Sequence, residues 1–172
     1  MLEVITGPMF SGKTEELVRR IHRAEYAHIT PVVFKPARDT RYNKNQIMSH
    51  SGYVFPAHSI EHPSEALKYS GTLVAFDEAQ FYDDAIIAVV SDFLHRGSNV
   101  IVAGLDKDFR GMPFGSMPTL LAIADKVSKL TAVCVRCHGE ATMTYRTVAD
   151  DATVVVGGAD KYEARCRKCH TL

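Results

Sequence analysis

Three groups of residues carry the chemistry legible in this sequence. The first is Gly7-Pro8-Met9-Phe10-Ser11-Gly12-Lys13-Thr14, which fits G-x-x-x-x-G-K-[ST] at every fixed position. Glycines let the backbone curl until successive N–H groups point inward at phosphate oxygens. A helix that starts where the loop ends aims its positive dipole end at the same anion. Lys13 supplies a mobile charge for the β- and γ-phosphates, and the Thr14 hydroxyl suits Mg²⁺. ATP is the expected ligand.

The second group is Asp77-Glu78, which ends the apolar run Leu73-Val-Ala-Phe76. A phosphate loop needs a partner acid at the end of another strand to hold Mg²⁺, directly or through water. The run puts Asp77 at a strand's carboxyl end, where ligands sit in open α/β sheets. Successive strand residues point in different directions, so Asp77 is read as facing the metal and Glu78 the acceptor. A Glu there takes a proton from an attacking hydroxyl or orients a water for hydrolysis. Taken without the phosphate loop, the two acids would read first as the cap of the next helix.

The third group is Cys134-Val-Arg-Cys137 and Cys166-Arg-Lys-Cys169, two C-x-x-C pairs separated by 28 residues, 138–165. Four thiolates closing a tetrahedron make a structural Zn²⁺ site with no open position for chemistry. The gap exceeds the usual 15–20 or so residues of short zinc motifs. Arg136, Arg165, Arg167 and Lys168 beside the thiols favour the thiolate form. A redox pair and unrelated buried cysteines are the competing readings. His138 and His170 adjoin ligand positions and are read as bystanders.

The elements that must position these groups follow from periodicity. Leu2–Thr6 reads as a strand feeding the loop, and Thr14–Ala27 as a helix with Leu17, Val18, Ile21 and Ala24 at helical spacing. Strands are expected at 31–34, 72–76, 100–103 and 129–133, and helices at 64–69, 83–96 and 119–127. Residues 35–58 read as a long polar loop with room for one short strand, and a loop that long is usually functional. Strands alternating with helices through residue 133 imply a three-layer α/β domain with a mainly parallel sheet flanked by helices. After Cys134 the texture changes to β-type runs at 142–147 and 153–156 with no helix between them. The expected division is an ATP-binding phosphate-loop domain, 1–133, and a small zinc-binding β domain, 134–172.

Composition narrows the function. Twenty Lys+Arg balance 20 Asp+Glu, so there is no basic footprint of the kind a polynucleotide binder shows, and no nucleic acid is expected as partner. No apolar run approaches the roughly 18 residues of a membrane span. The N-terminal residues do not read as a secretory signal, so a cytoplasmic location is the default.

Taken in order, these motifs resemble the type II (zinc-containing) thymidine kinases. The loop interior Pro8-Met-Phe-Ser11 looks like that family's version. So do Lys35 to Tyr42, ending Arg38-Asp-Thr-Arg-Tyr42, and Phe76-Asp-Glu-Ala-Gln-Phe81. Gly104-Leu-Asp106, Phe109, Pro113-Phe-Gly115, Lys129-Leu-Thr-Ala-Val-Cys134 and Gly157-Gly-Ala-Asp-Lys-Tyr162 complete the match. The resemblance implies a RecA-like phosphate-loop fold whose zinc-tethered lasso closes over the nucleoside. It implies transfer of the ATP γ-phosphate to the 5′-hydroxyl of thymidine, a salvage step supplying DNA precursors. Glu78 would be the catalytic base, and Asp39, Arg41, Asp77 and Gln80 would join Gly7 to Thr14 around ATP and Mg²⁺. Met9, Leu105, Phe109, Phe114 and Thr144 would line the thymine pocket. Backbone groups of Thr153, Val154, Val155, Val156 and Gly157 would meet the base, and Tyr162 would close over it. Thr153 departs from the aliphatic residue often found there. A homotetramer is also implied.

Two other readings compete. A GTP-hydrolysing switch would carry Asn-Lys-x-Asp, which Asn43-Lys-Asn-Gln46 and Asp106-Lys-Asp108 both fail; nucleoside-independent ATP hydrolysis remains. The other is a nucleic-acid-binding module gripping DNA through the zinc unit.

Overall fold

The computed structural model of the chain describes residues 1–39, 45–48, 52–149, 152, 155 and 157–171. Six strands form one all-parallel sheet: β1 (Leu2–Thr6), β2 (Pro31–Pro36), β5 (His58–Ile60), β6 (Leu73–Phe76), β7 (Asn99–Gly104) and β8 (Lys126–Lys129). Their order is β5-β2-β6-β7-β1-β8. The phosphate-loop strand β1 is thus separated by β7 from β6, whose end carries Asp77, as in the RecA-like order.

Both sheet faces are covered, which is why the central strands read as near-continuous apolar runs. Side chains alternate between faces. Leu2 and Val4 of β1 and Val100 and Val102 of β7 meet α2 (Ala85–His95) and α3 (Met117–Ile123) through Ile86, Val90, Phe93, Met117 and Leu120. Ile5, Ile101 and Ala103 face the other way, onto Leu17, Val18 and Ile21 of α1 (Lys13–Tyr26). The same layer holds Ile47 and Phe55 from a hairpin of β3 (Gln46–Met48) and β4 (Val54–Pro56). Residues 63–68 and 79–81 form 3-10 turns.

The remaining strands make a small lobe of two antiparallel pairs. β9 (Ala132–Val133) pairs with β10 (Glu140–Ala141), and β11 (Met143–Arg146) with β12 (Tyr162–Arg165). Among the described residues its buried apolar cluster is Ala132, Cys134, Ala141 and Ala164, with Cys166, Cys169 and Phe10 of the phosphate loop packed against it.

Three expectations change. The helix expected at 119–127 runs Met117–Ile123, and the strand expected at 129–133 splits into β8 and β9. Leu120, Ile123 and Val127 keep helical spacing, but Ala124 is extended (φ −69°, ψ 136°). The Asp125 carboxylate accepts the Leu2 N–H at 2.7 Å, which draws the chain beside β1 with Glu3 opposite Lys126. The polar stretch 35–58 holds the β3–β4 hairpin and sheet strand β5, more structure than the one short strand expected. The strand expected at 153–156 falls largely on residues outside the described set, and β12 was not anticipated.

Candidate active site

The phosphate loop is built by two glycines in conformations open to them. Gly7 sits at φ 148°, and a Cβ there would come within 2.4 Å of the Leu130 carbonyl oxygen. Gly12 caps α1 in the left-handed region, φ 79°. Between them the Pro8 carbonyl accepts from Ser11 Oγ at 2.8 Å and from Lys13 Nζ at 2.7 Å. The lysine is thus held folded over its own loop, buried to 9% exposure.

Asp77 lies at the carboxyl end of β6, held by its N–H to the Phe34 carbonyl of β2 at 2.9 Å. Its Oδ2 accepts the Thr14 hydroxyl at 3.1 Å, joining the start of α1 to the second acid. A hydroxyl and a carboxylate so close form the hard-oxygen donor set that suits Mg²⁺.

Glu78 adopts the left-handed region, φ 50°, ψ 43°, an uncommon conformation for a non-glycine that clusters at functional sites. It turns the chain out of β6 so that Glu78 and Asp77 do not share a direction. Gln80 Nε2 donates to Glu78 Oε2 at 2.5 Å, while Gln80 Oε1 accepts the Leu105 N–H at 3.0 Å. The Leu105 bond fixes which end of the amide is oxygen, so the NH₂ end must face the carboxylate. Gln80 is 3% exposed, and its amide bridges Leu105 to Glu78.

These groups open onto one cavity of about 300 Å³. Its polar lining includes Gly12, Lys13, Thr14, Asp39, Asp77 and Glu78. Its apolar lining includes Met9, Leu105, Phe109, Phe114, Val155 and Tyr162, and Thr144 and Gly157 also line it. Phe10 also reaches it, whereas Gly7, Pro8 and Ser11 stand behind as scaffold. The Met9 N–H donates to Thr144 Oγ1 at 3.0 Å, which ties the loop to the lobe. Tyr162 Oη donates to the Val155 carbonyl at 2.7 Å. Arg41, Thr153, Val154 and Val156 lie outside the described residues.

The sequence reading assigns no site role to several lining residues: Lys35, Arg38, Phe81, Lys107, Asp108 and Arg146. Arg146 shares a face of β11 with Thr144 two residues earlier, a period-2 signal that could have flagged it. Its guanidinium stacks 3.7 Å over the Phe109 ring and donates to Tyr162 Oη at 3.1 Å. Lys35, 1% exposed, lies 3.8 Å from the Asp39 carboxylate. Burial works against the Asp106 carboxylate, but the Lys129 and Lys107 ammonium groups, each 2.9 Å away, outweigh it and hold its pKa below the usual range.

The four cysteine sulfurs lie within 4.8 Å of one another, with Cys137 and Cys166 Sγ 3.7 Å apart. Zinc–sulfur bonds of about 2.3 Å give a tetrahedron with edges of about 3.8 Å, so the thiols fit a zinc ion. Burial opposes ionisation of Cys134, yet backbone N–H groups of Cys166, Cys137 and Arg136 outweigh it and bring the thiol down to about 6. Neither His138 nor His170 belongs to this cluster.

Fold and site together define a phosphate-loop phosphotransferase with a four-thiol lobe against its cavity. The thymidine kinase family profile matches residues 1–170. A curated thymidine kinase of Coprothermobacter proteolyticus is 50% identical over 179 residues, covering 99% of this chain and 90% of the relative. One from Bacteroides thetaiotaomicron is 46% identical over 171 residues, covering 98% and 86%. The chain belongs to the thymidine kinase family and is an enzyme, a nucleotide-binding transferase. Among the described residues no helix is long and apolar enough to cross a membrane.

Proposed function

We propose that the chain transfers the γ-phosphoryl group of ATP to the 5′-hydroxyl of thymidine, giving dTMP and ADP. One observation carries this: a carboxylate oriented by a buried amide lines the same cavity as the phosphate-loop residues Gly12, Lys13 and Thr14 and the side chains of Leu105, Phe109, Phe114 and Tyr162. A hydrolase needs a place for water; a recess walled by Leu105, Phe109, Phe114 and Tyr162 suits a base and sugar.

In this reading the N–H groups of residues 7–13 hold the phosphates, and Lys13 leaves the Pro8 carbonyl to meet them. Thr14 and Asp77 would hold Mg²⁺, which when bound neutralises phosphate charge. Glu78 accepts the proton of the 5′-hydroxyl as its oxygen bonds to the γ-phosphorus. The bond from that phosphorus to the β–γ bridging oxygen breaks, and ADP leaves with the electron pair. Asp39 and Arg41 lie toward the phosphates, Arg41 stabilising transferring charge. Met9, Leu105, Phe109, Phe114 and Thr144 bound the thymine, the backbone of 153–157 reads its edge, and Tyr162 closes the site. Cys134, Cys137, Cys166 and Cys169 hold structural zinc, which tethers both ends of a lasso domain, 134–172, against the ATP-binding domain, 1–133. The family resemblance further supports a homotetramer, and together with unbridged thiols a cytoplasmic location.

The test is a panel of nucleosides offered with Mg-ATP. Thymidine should yield dTMP and ADP in equal amounts; ADP released at the same rate without any nucleoside would instead mark a hydrolase.

A further inference from the structure

His170 follows Cys169, the last thiol of the four-cysteine cluster, and its ring is engaged elsewhere. Nε2 lies 2.9 Å from the Phe109 carbonyl oxygen and 3.2 Å from the Thr144 carbonyl oxygen. Carbonyl oxygens only accept, so Nε2 carries a proton and one N–H is shared between two acceptors. Those acceptors belong to different parts of the molecule. Phe109 lies in the connection from β7 to α3, within the sheet domain, and Thr144 in β11 of the lobe. Both line the cavity. The imidazole is braced by the Tyr145 ring, which meets it edge-on at 5.8 Å and 84°. Tyr145 in turn lies under the Arg165 guanidinium at 3.3 Å.

We propose that His170 is a positioning residue for the nucleoside: its shared N–H sets the spacing between Phe109 and Thr144, and with it the width of the cavity they both line. The two side chains it governs are themselves fixed from the far side. Thr144 Oγ1 takes the Met9 N–H, and the Phe109 ring lies against Arg146. Loss of the shared bond frees one carbonyl to move relative to the other, and displacements of about 1 Å are costly where a substrate must be held in register. Because His170 adjoins Cys169, the tether also transmits the position of the four-thiol cluster to the pocket wall.

The proposal rests on the nucleoside reading of the cavity, and the two fail separately. A wild-type enzyme that phosphorylates no nucleoside defeats that reading before any variant is made. Given thymidine turnover, His170→Phe keeps a ring and removes the donor, while His170→Gln returns an N–H at similar reach. The phenylalanine variant should raise KM for thymidine about tenfold and leave kcat and KM for ATP within about twofold; the glutamine variant should recover most of the loss. Zinc content, measured by atomic absorption on each purified protein, should match the wild type. An unaltered KM for thymidine in His170→Phe overturns the proposal. Equal rises in both KM values, loss of zinc, or a glutamine variant no better than phenylalanine do so as well, since each makes the residue merely structural.

Discussion

The Glu78 carboxylate is held by a short chain of bonds, from Leu105 N–H through the Gln80 amide to Oε2. One carboxylate oxygen is occupied as an acceptor, and the chain fixes the direction of the group. Two substitutions separate chemistry from aim. Glu78→Gln removes the proposed proton acceptor and keeps the shape, so turnover of thymidine should fall about 10²- to 10⁴-fold while ATP binding, followed by calorimetry, survives. Retained turnover would remove Glu78 from the reaction. Gln80→Met leaves the Glu78 carboxylate in place but unaimed; kcat should drop about tenfold with KM for ATP unchanged. An unchanged kcat would make the amide a packing feature only. At this scale the sequence was readable wherever chemistry came in fixed spacing: Gly7 to Thr14, Asp77 with Glu78, the paired cysteines. Lys107 was not, because a lone cation carries no period, and Arg146 was legible only through its period-2 relation to Thr144. Only the fold reveals that the strand ends bearing them converge on one cavity.

An element is placed by its edges as well as its core. Helix α1 packs Leu17, Val18 and Ile21 on the sheet, and its register along β1 and β8 is set by Arg20. That guanidinium bonds Glu16 at 2.8 Å, Glu3 of β1 at 2.5 Å and Ser128 of β8 at 2.7 Å. Glu16 is also gripped by Arg19, and chiefly this bond lowers its pKa from 4.5 to about 2. A folded-state value below the unfolded one contributes stability that is full above pH 4.5 and lost as pH falls through about 2. Glu16→Gln should therefore lower stability by about 1 kcal/mol at pH 7, with the gap between variant and wild type narrowing below pH 4.5. Melting curves from pH 7 to 3 provide the check; a gap that widens on acidification reverses the assigned sign. Elements of local origin were largely legible, α1 and the central strands above all. β5 and β8 were not. Each is a short strand that exists through parallel pairing with a distant partner, β2 and β1 respectively, and the helical spacing of Leu120, Ile123 and Val127 pointed the other way.

The molecule as a whole is stabilised unequally. Two extensive apolar layers hold the sheet, and with it the phosphate loop and Asp77. Among the described residues the lobe's buried cluster is four small side chains, three of them alanine, little apolar surface to order a unit of its size without a staple. The thiol cluster lies where such a staple would act, and the lobe it secures carries Thr144, Arg146 and Tyr162 to the cavity. Metal removal should therefore divide the function. Mercurial titration of the native protein with a colorimetric chelator should release about one zinc per chain, and thymidine turnover should fall in step with the release. Binding of an ATP analogue at Gly7 to Thr14, whose scaffold is the sheet, should weaken far less. Readdition of zinc after removal of the mercurial should restore turnover. If the stripped protein kept full thymidine turnover, the lobe would be ordered by its own contacts, and the coupling of thiols to pocket would fail at this scale.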